Sequence, residues 1–242
     1  MNIVLLEPSE IGPPLAPSDL RYRHINKVLR CVVGDSFDVG RVNGPRGKAL
    51  IIKSDKDGLH LKFEWQHPHQ RENHPRLAIG FPRPQTARDI LRDATSLGVS
   101  ELSFISTARS DPNYATSSLW SKGEWRRQVV TGTAQAFDTF IPQVQWHESL
   151  VETLDRWASE EIYPVALDLY DCTHRLADHL NSSGADRPEA ILIGPERGWD
   201  NEDRVLLDSR QIPRLHLGSR VLRTETAVAV TLGLLNAAGA RV

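Results

Sequence analysis

The chain has 242 residues, of which 40% are hydrophobic and 25% are charged, and this balance excludes a disordered protein. Its 29 basic and 31 acidic residues leave a net charge of −2, which excludes a uniformly basic nucleic-acid-binding protein. The longest nearly apolar stretch, 227–235, is far shorter than the about 20 residues of a membrane span. Cys31 and Cys172 are the only cysteines, too few for a disulfide framework or a cysteine-based zinc site. We therefore expect a cytoplasmic protein with no membrane segment and no metal.

The first part of the chain predicts short β-strands separated by turns. Apolar and polar residues alternate in these segments, and Asn43-Gly44-Pro45 and Asp57-Gly58 supply turn residues between them. The predicted strands are Ile3–Leu6, Ser36–Val42, Lys48–Lys53 and Leu59–Trp65. Several short strands in so small a segment indicate a small β-barrel.

A helix is predicted over 19–29, packed against this barrel. Its apolar residues recur roughly on one side; they are Leu20, Ile25, Val28 and Leu29. The segment 20–30 contains no acidic residue, and its basic residues are Arg21, Arg23, Lys27 and Arg30. These side chains either form a patch for a polyanion or are the solvated face of an amphipathic helix.

A change of pattern follows the polar, proline-bracketed segment 66–75, which we interpret as a linker between two domains, 1–70 and 71–242. Its three histidines have no nearby cluster of partner ligands, so a solvated linker is favoured over a metal site. Beyond it, strands and helices alternate. The predicted strands are Leu77–Phe81, Leu102–Ile105, Pro142–Trp146, Pro164–Leu169, Ala190–Ile193 and Leu215–Leu217. The predicted helices are Gln85–Leu97, Trp120–Phe137, Glu148–Ala158, a helix capped by Asp200 and ending at Ser209, and Thr224–Ala238. This alternation indicates an α/β domain built on a parallel sheet.

Two loops that follow predicted strands have unusual compositions. They are 193–198, Ile-Gly-Pro-Glu-Arg-Gly, and 217–226, Leu-Gly-Ser-Arg-Val-Leu-Arg-Thr-Glu-Thr. Gly194 and Gly198 allow backbone groups to approach a ligand closely, which suits a planar ligand such as adenine. The alternative is that the glycines only form turns. Neither loop has the spacing of the common glycine-rich phosphate-binding motifs.

Taken together, these motifs resemble the bacterial 16S ribosomal RNA uridine-N3 methyltransferases (RsmE-type) of the SPOUT superfamily. The most specific matches are Leu-Ile-Gly-Pro-Glu-Arg-Gly at 192–198 and Leu-Gly-Ser-Arg-Val-Leu-Arg-Thr-Glu-Thr-Ala at 217–227. His-Ile-Asn-Lys-Val-Leu-Arg at 24–30 is similar to the N-terminal signature of that family, and 95–99 is similar to a further segment. The resemblance therefore extends over most of the chain.

The resemblance implies a fold that periodicity alone does not show. The N-terminal domain would be a PUA-like, RNA-binding β-barrel, and the C-terminal domain a SPOUT-type α/β fold with a parallel sheet and a trefoil knot. The family members are homodimers that bind S-adenosyl-L-methionine in the knot and act on ribosomal RNA of the small subunit. The cofactor-binding residues carried over by the motifs are Leu169, Ile193, Gly194, Pro195, Gly198, Leu217, Gly218, Val221, Leu222 and Thr226. Leu169 and Tyr170 would form a third wall of this pocket.

Methyl transfer to uridine N3 requires alignment of the two reactants and loss of the N3 proton. We expect Arg223 to stabilise the developing negative charge. Glu225 is expected either to orient Arg223 or to accept the N3 proton. The alternative is that the two residues form an ion pair at the start of a helix. The candidate RNA-binding residues are Arg21, Arg23, His24, Lys27, Arg30, Arg83 and Arg220.

The chain departs from the family pattern at several places. Arg197 occupies a position where the family usually has glycine, and the segments 95–96 and 134–140 lack charged residues usual in the family. The segment 83–88 reads Arg-Pro-Gln-Thr-Ala-Arg where the family has a Lys…Glu/Lys helix entry. These segments fall where the acceptor is expected, whereas the donor loops are nearly intact. Two alternatives therefore remain, a methyltransferase with a different acceptor and a non-catalytic RNA-binding or ribosome-assembly protein. Trp199 follows the first loop and either belongs to the core or closes over a ligand.

Overall fold

The computed structural model describes residues 2–66, 74–146, 148–172, 174–182 and 187–239. The chain divides into two compact units, Met1–Glu72 with Thr133–Ile141, and Asn73–Gly132 with Pro142–Val242. Most of the predicted linker and the predicted boundary at 70/71 lie outside the described residues. Residues 133–141, which the sequence assigned to the second domain, are grouped with the first unit and are hydrogen-bonded to it. The Thr139 hydroxyl donates to the Gly44 carbonyl at 2.6 Å, and the Asn43 amide donates to the Thr139 carbonyl at 2.8 Å.

The first unit contains a four-stranded sheet. Its strands are β1 (Val4–Leu6), β2 (Ser36–Arg41), β3 (Arg46–Asp55) and β4 (Gly58–Trp65), in the order β1-β2-β3-β4. β1 pairs with β2 in parallel, and the other pairs are antiparallel. Alternate residues of β2 and β3, such as Val39, Ala49 and Ile51, are buried in one apolar core. The four predicted strands therefore exist, and closure into a barrel stays a prediction.

The predicted helix over 19–29 is shorter and packs differently. Asp19 caps helix α1 (Leu20–His24) by accepting a hydrogen bond from the Arg21 amide, and a single π-helical turn follows over Ile25–Leu29. A π turn is wider than an α turn and shifts the following side chains away from the 3.6-residue period. The expectation that four apolar residues pack on the barrel is wrong for three of them. Ile25 is buried, whereas the exposed ones are Leu20, Val28 and Leu29.

The second unit is built on a six-stranded sheet in which every pairing is parallel. The strands are β5 (Arg76–Gly80), β6 (Glu101–Ile105), β7 (Gln143–Gln145), β8 (Pro164–Leu167), β9 (Ala190–Ile193) and β10 (Arg214–Leu215). Their order is β10-β8-β9-β5-β6-β7. β6 and β9 are buried along their whole length, as expected of parallel strands covered on both faces. The predicted α/β class with a parallel sheet is confirmed.

Helices connect these strands. They are α2 (Pro84–Leu97), α3 (Ser118–Ser121), α4 (Glu124–Gln135), α5 (Leu150–Ser159), α6 (Leu176–Asn181), α7 (Asn201–Ser209) and α8 (Thr224–Gly239). The single helix predicted over 120–137 is wrong, because Gly123, with φ of 67°, separates α3 from α4. The cap of α7 is as predicted: Asp200 and Asp203 form reciprocal side-chain to backbone hydrogen bonds. Among the described residues, no helix is long and apolar enough to cross a membrane.

The strand order changes direction between β5 and β9. The chain builds β5, β6 and β7 outward on one side and then returns to place β8, β9 and β10 on the other side. In open parallel sheets, the crevice beyond the carboxyl ends of the strands at such a reversal is the usual place for a ligand. The loops that follow β8, β9 and β10 leave the sheet at this edge.

Candidate functional site

A cavity of about 750 Å³ lies in the second unit at this edge, within the usual size range of small-molecule sites. Its walls are the loops after β8, β9 and β10, together with the start of α2 and of α8. The structure brings together most of the predicted cofactor-binding residues; those lining the cavity are Leu169, Ile193, Gly194, Pro195, Gly198, Leu217, Gly218, Val221 and Leu222. The two motif loops, far apart in sequence, therefore converge on one cleft.

Thr226 is the predicted cofactor-binding residue that the structure does not place in this lining. Thr224, Glu225 and Ala227 line the cavity, whereas Thr226 is exposed on the first turn of α8. Successive helix residues are rotated by about 100°, so a residue between two lining positions can point elsewhere. We therefore withdraw Thr226 from the site.

The loop after β9 is a tight turn that favours glycine at two positions. The Gly198 amide donates to the Pro195 carbonyl at 2.7 Å, and Gly198 has a φ of 66°. A Cβ added at Gly194 would lie 3.2 Å from the Cα of Gly198, closer than most real contacts. Glycine at these two positions keeps the turn closed and exposes its backbone to the cavity.

Trp199 connects this loop to the neighbouring strand. It is 1% exposed, and its indole nitrogen donates to the Leu167 carbonyl at the end of β8 at 2.8 Å. The bond fixes the β9 loop against the β8 loop at the floor of the cavity. The structure therefore favours the interpretation of Trp199 as a core residue. It does not support a Trp199 ring that closes over a ligand.

The loop after β10 is more open. Gly218 has a φ of 137°, a region that favours glycine, and its amide donates to Nδ1 of His216 at 3.1 Å. Val221 is 84% exposed and Leu222 is 36% exposed, although both line the cavity. These apolar side chains lie where a bound molecule would cover them.

Arg223 and Glu225 lie at the rim of the cavity, at the start of α8. A distance of 4.0 Å separates Arg223 Nη1 from Glu225 Oε1, and their side chains are 86% and 31% exposed. An ion pair this long and exposed contributes little to stability. The structure therefore brings the two predicted catalytic residues together and leaves the guanidinium able to reach a ligand.

Arginines surround the opening. Arg83, Arg197 and Arg220 are exposed lining residues, and in the described parts of the chain their side chains form no ion pair. Glu196 accepts a hydrogen bond from the Arg83 amide at 2.9 Å instead of pairing with a guanidinium. With Arg223, four lining arginines face two lining glutamates, Glu196 and Glu225, so the opening has an excess of positive charge, which favours an anionic ligand.

Asp168, directly after β8, is the one acidic lining residue that is almost fully buried, with its side chain 4% exposed. Arg204 and Arg214 both contact its Oδ2, at 2.7 and 3.3 Å. Burial raises the pKa of this carboxyl, but the hydrogen bonds from Arg204 and from the backbone outweigh it, and the pKa lies below its ordinary value. No sequence motif indicates this cluster, because its members come from three separate elements.

The other predicted RNA-binding residues lie in the first unit, and the prediction for Arg21 is corrected. The Arg21 guanidinium contacts Glu10 at 2.5 Å, Asp19 at 2.6 Å and the Leu5 carbonyl at 2.9 Å. Its donors are used within the fold, so we withdraw Arg21 as an RNA contact. The exposed ones are Arg23, Lys27 and Arg30. His24 is half-buried, and in the described structure its buried Nε2 has no hydrogen-bond partner.

Comparison with known proteins agrees with this geometry. The family model for the RNA methyltransferase domain matches residues 70–236. The ribosomal RNA small subunit methyltransferase E of Treponema pallidum is 32% identical over 97% of this chain and 90% of its own length. Ribosomal RNA small subunit methyltransferase E 1 of Borreliella burgdorferi is 24% identical over 94% of both chains.

A similar fold is seen in the crystal structure of a ribosomal RNA small subunit methyltransferase E from Neisseria gonorrhoeae bound to S-adenosyl methionine. The TM-score is 0.74 over 97% of both chains, at 19% identity. The chain therefore belongs to the RNA methyltransferase family and, within it, to the ribosomal RNA small subunit methyltransferase E group.

Proposed function

We propose that this protein transfers the methyl group of S-adenosyl-L-methionine to N3 of a uridine in 16S ribosomal RNA. The convergence of the 193–198 and 217–227 loops on one cavity carries the proposal, because these are its family motifs. The names of the relatives support the ribosomal RNA acceptor, and the bound ligand of the Neisseria protein supports the donor.

The cavity suits such a donor. Its lining combines apolar side chains such as Ile193 and Leu222 with the exposed backbone of glycine turns. A Cβ at Gly194 would press on Gly198 within the same turn, so glycine keeps this turn compact beside the cavity. We assign the donor to the residues that line the cavity and were predicted to bind it; they are Leu169, Ile193, Gly194, Pro195, Gly198, Leu217, Gly218, Val221 and Leu222.

The residues at the rim would serve the transfer itself. When bound, S-adenosylmethionine supplies an electrophilic methyl group. The cavity walls align it with the incoming base, which lowers the entropic part of the barrier. The N3–methyl bond forms as the sulfur–methyl bond of the donor breaks, which leaves the thioether S-adenosylhomocysteine. The N3–H bond of uridine must also break, and the ring becomes anionic on the way. In this proposal Arg223 stabilises that charge, and Glu225, 4.0 Å from its guanidinium, either orients Arg223 or accepts the N3 proton.

We further propose that the first unit is a PUA-like, RNA-binding β-barrel that uses Arg23, Lys27 and Arg30. The second unit would be a SPOUT fold with a C-terminal trefoil knot, acting as a cytoplasmic homodimer. The sequence resemblance supports these assignments, and the exposed basic side chains support the RNA contact. Light scattering of the purified protein tests the dimer, and a monomer at working concentration would contradict it.

One observation favours a second candidate, the same chemistry on a different acceptor. Arg197 adds a long cation to the donor turn, and its side chain lies at the opening through which the acceptor enters. The experiment separates the candidates: the protein is incubated with isotope-labelled donor and with immature or mature small subunits from cells lacking the gene. Labelled 3-methyluridine in the RNA supports the proposal, and label in another nucleoside favours the second candidate. Donor binding without any transfer would indicate a non-catalytic protein.

A further inference from the structure

The tyrosine on the β8 loop has a setting that donor binding does not explain. Tyr170 lines the cavity and is 63% exposed. The Arg204 guanidinium lies 4.9 Å from the centroid of its ring and covers one face through a cation–π contact. The remaining ring surface is open to solvent, so a planar group entering the cavity can lie against it.

The backbone that carries this ring is held at several points. Asp168 Oδ1 accepts hydrogen bonds from the Leu169 amide at 2.8 Å and from the Tyr170 amide at 3.3 Å. Arg214 Nη1 donates to the Tyr170 carbonyl at 3.0 Å. The buried Asp168 carboxylate also binds Arg204, so one cluster fixes both the backbone and the ring. A ring fixed before the ligand arrives loses little entropy on binding.

We propose that Tyr170 is a platform on which an unpaired base of the acceptor RNA stacks as the target uridine enters the cavity. Asp168, Arg204 and Arg214 are the positioning residues of this platform. The inference rests on the proposed function and adds a specificity contact to it. Neither the motifs nor the family match assigns such a role to these residues.

Position in the cavity favours a base of the RNA over the adenine of the donor. The donor turn is deep, since Ile193 is 4% exposed and Pro195 is buried. Tyr170 is instead exposed, in the same opening as Arg197 and Arg220. An aromatic ring among cations is the usual composition of sites for single-stranded nucleic acid, where bases stack and phosphates pair with arginine.

The test compares Tyr170→Ala with Tyr170→Phe in the full-length protein. Methyl transfer to small ribosomal subunits from cells lacking the gene gives kcat and KM, and calorimetry gives the Kd for S-adenosylmethionine. Loss of one stacked base corresponds to a rise of about tenfold or more in KM. We expect that rise for Tyr170→Ala, with the donor Kd unchanged and with Tyr170→Phe close to the wild type.

Three further variants complete the test, one as a control and two at the positioning residue Arg204. Tyr163→Ala removes a tyrosine that is 78% exposed directly before β8, at the opposite edge of the sheet, and should leave KM unchanged. Arg204→Gln should raise KM part of the way. Arg204→Lys should raise it less, because lysine keeps a positive charge beside the ring but not both hydrogen bonds to Asp168.

Three results would overturn the inference. They are an unchanged KM in an active Tyr170→Ala enzyme, an equal rise for Tyr163→Ala, and a parallel loss of donor affinity, which would place the adenine on the ring. Wild-type protein that binds donor but methylates no subunit would refute the proposed function instead, and the inference would fall with it.

Discussion

Gly80, the last residue of β5, lies directly against the donor turn, and this contact gives a sharp test of where the donor binds. A Cβ at Gly80 would lie 2.4 Å from Pro195 Cδ and 2.6 Å from Pro195 N. Ordinary carbon contacts are about 3.5–4.0 Å, so Gly80→Ala requires Pro195 to move by about 1 Å. Overpacking of this size costs about 1–3 kcal/mol. Pro195 is part of the donor wall, so the shift should distort the cavity.

We expect Gly80→Ala to lower the free energy of unfolding by about 1–3 kcal/mol. Because the displaced Pro195 belongs to the donor wall, we also expect donor binding to weaken by about fivefold or more, which corresponds to about 1 kcal/mol. Calorimetry with S-adenosylmethionine measures the change, and denaturant unfolding shows that the variant is folded. Gly233→Ala is the matched control, because a Cβ there meets nothing within 4 Å and α8 should accept alanine. Wild-type donor affinity in a folded Gly80→Ala variant would refute the assignment of the donor to this turn.

Three further outcomes are expected. Arg223→Ala should keep donor affinity and lose turnover in the methyl-transfer assay; unchanged turnover rejects its role. Trp199→Phe should lower the free energy of unfolding by about 1–3 kcal/mol, because a buried carbonyl loses its donor; equal stability in urea contradicts this. The Arg21 hydrogen bonds lower the pKa of Glu10 and Asp19, so their stabilisation is lost as pH falls from about 5 to about 3. The free energy of unfolding of Arg21→Met should therefore fall less steeply with decreasing pH than that of the wild type. Identical pH profiles for the two proteins would contradict this role of Arg21.

Local signals predicted the parallel sheet of the second unit well. Ala190–Ile193 is a short apolar run between turn residues, and the structure has the strand at those bounds. The N-terminal cap of α7 at Asp200 was also predicted, because a capping box is a local sequence pattern. By contrast, the single helix predicted over 120–137 is interrupted at Gly123, which has a positive φ. Helix α6 (Leu176–Asn181) was not predicted, because only Leu176 in it is buried and no apolar periodicity marks it.

Only those parts of the site that lie within sequence motifs could be predicted. Glycine turns and the Arg223–Glu225 pair are contiguous in sequence and could be placed by resemblance. The cluster of Asp168, Arg204 and Arg214 could not, because its members come from the loop after β8, from α7 and from β10, and meet only through the strand order. Tyr170 was expected as part of a wall, but its contact with Arg204 depends on that tertiary arrangement.

Backbone hydrogen–deuterium exchange with and without S-adenosylmethionine tests most directly whether the donor binds between the three loops. Bound ligand suppresses local opening, so amides that it covers should exchange more slowly. We predict protection confined to the loops after β8, β9 and β10, including 168–170, 193–199 and 217–225. Protection in the N-terminal sheet alone, or none at saturating donor, would contradict the account.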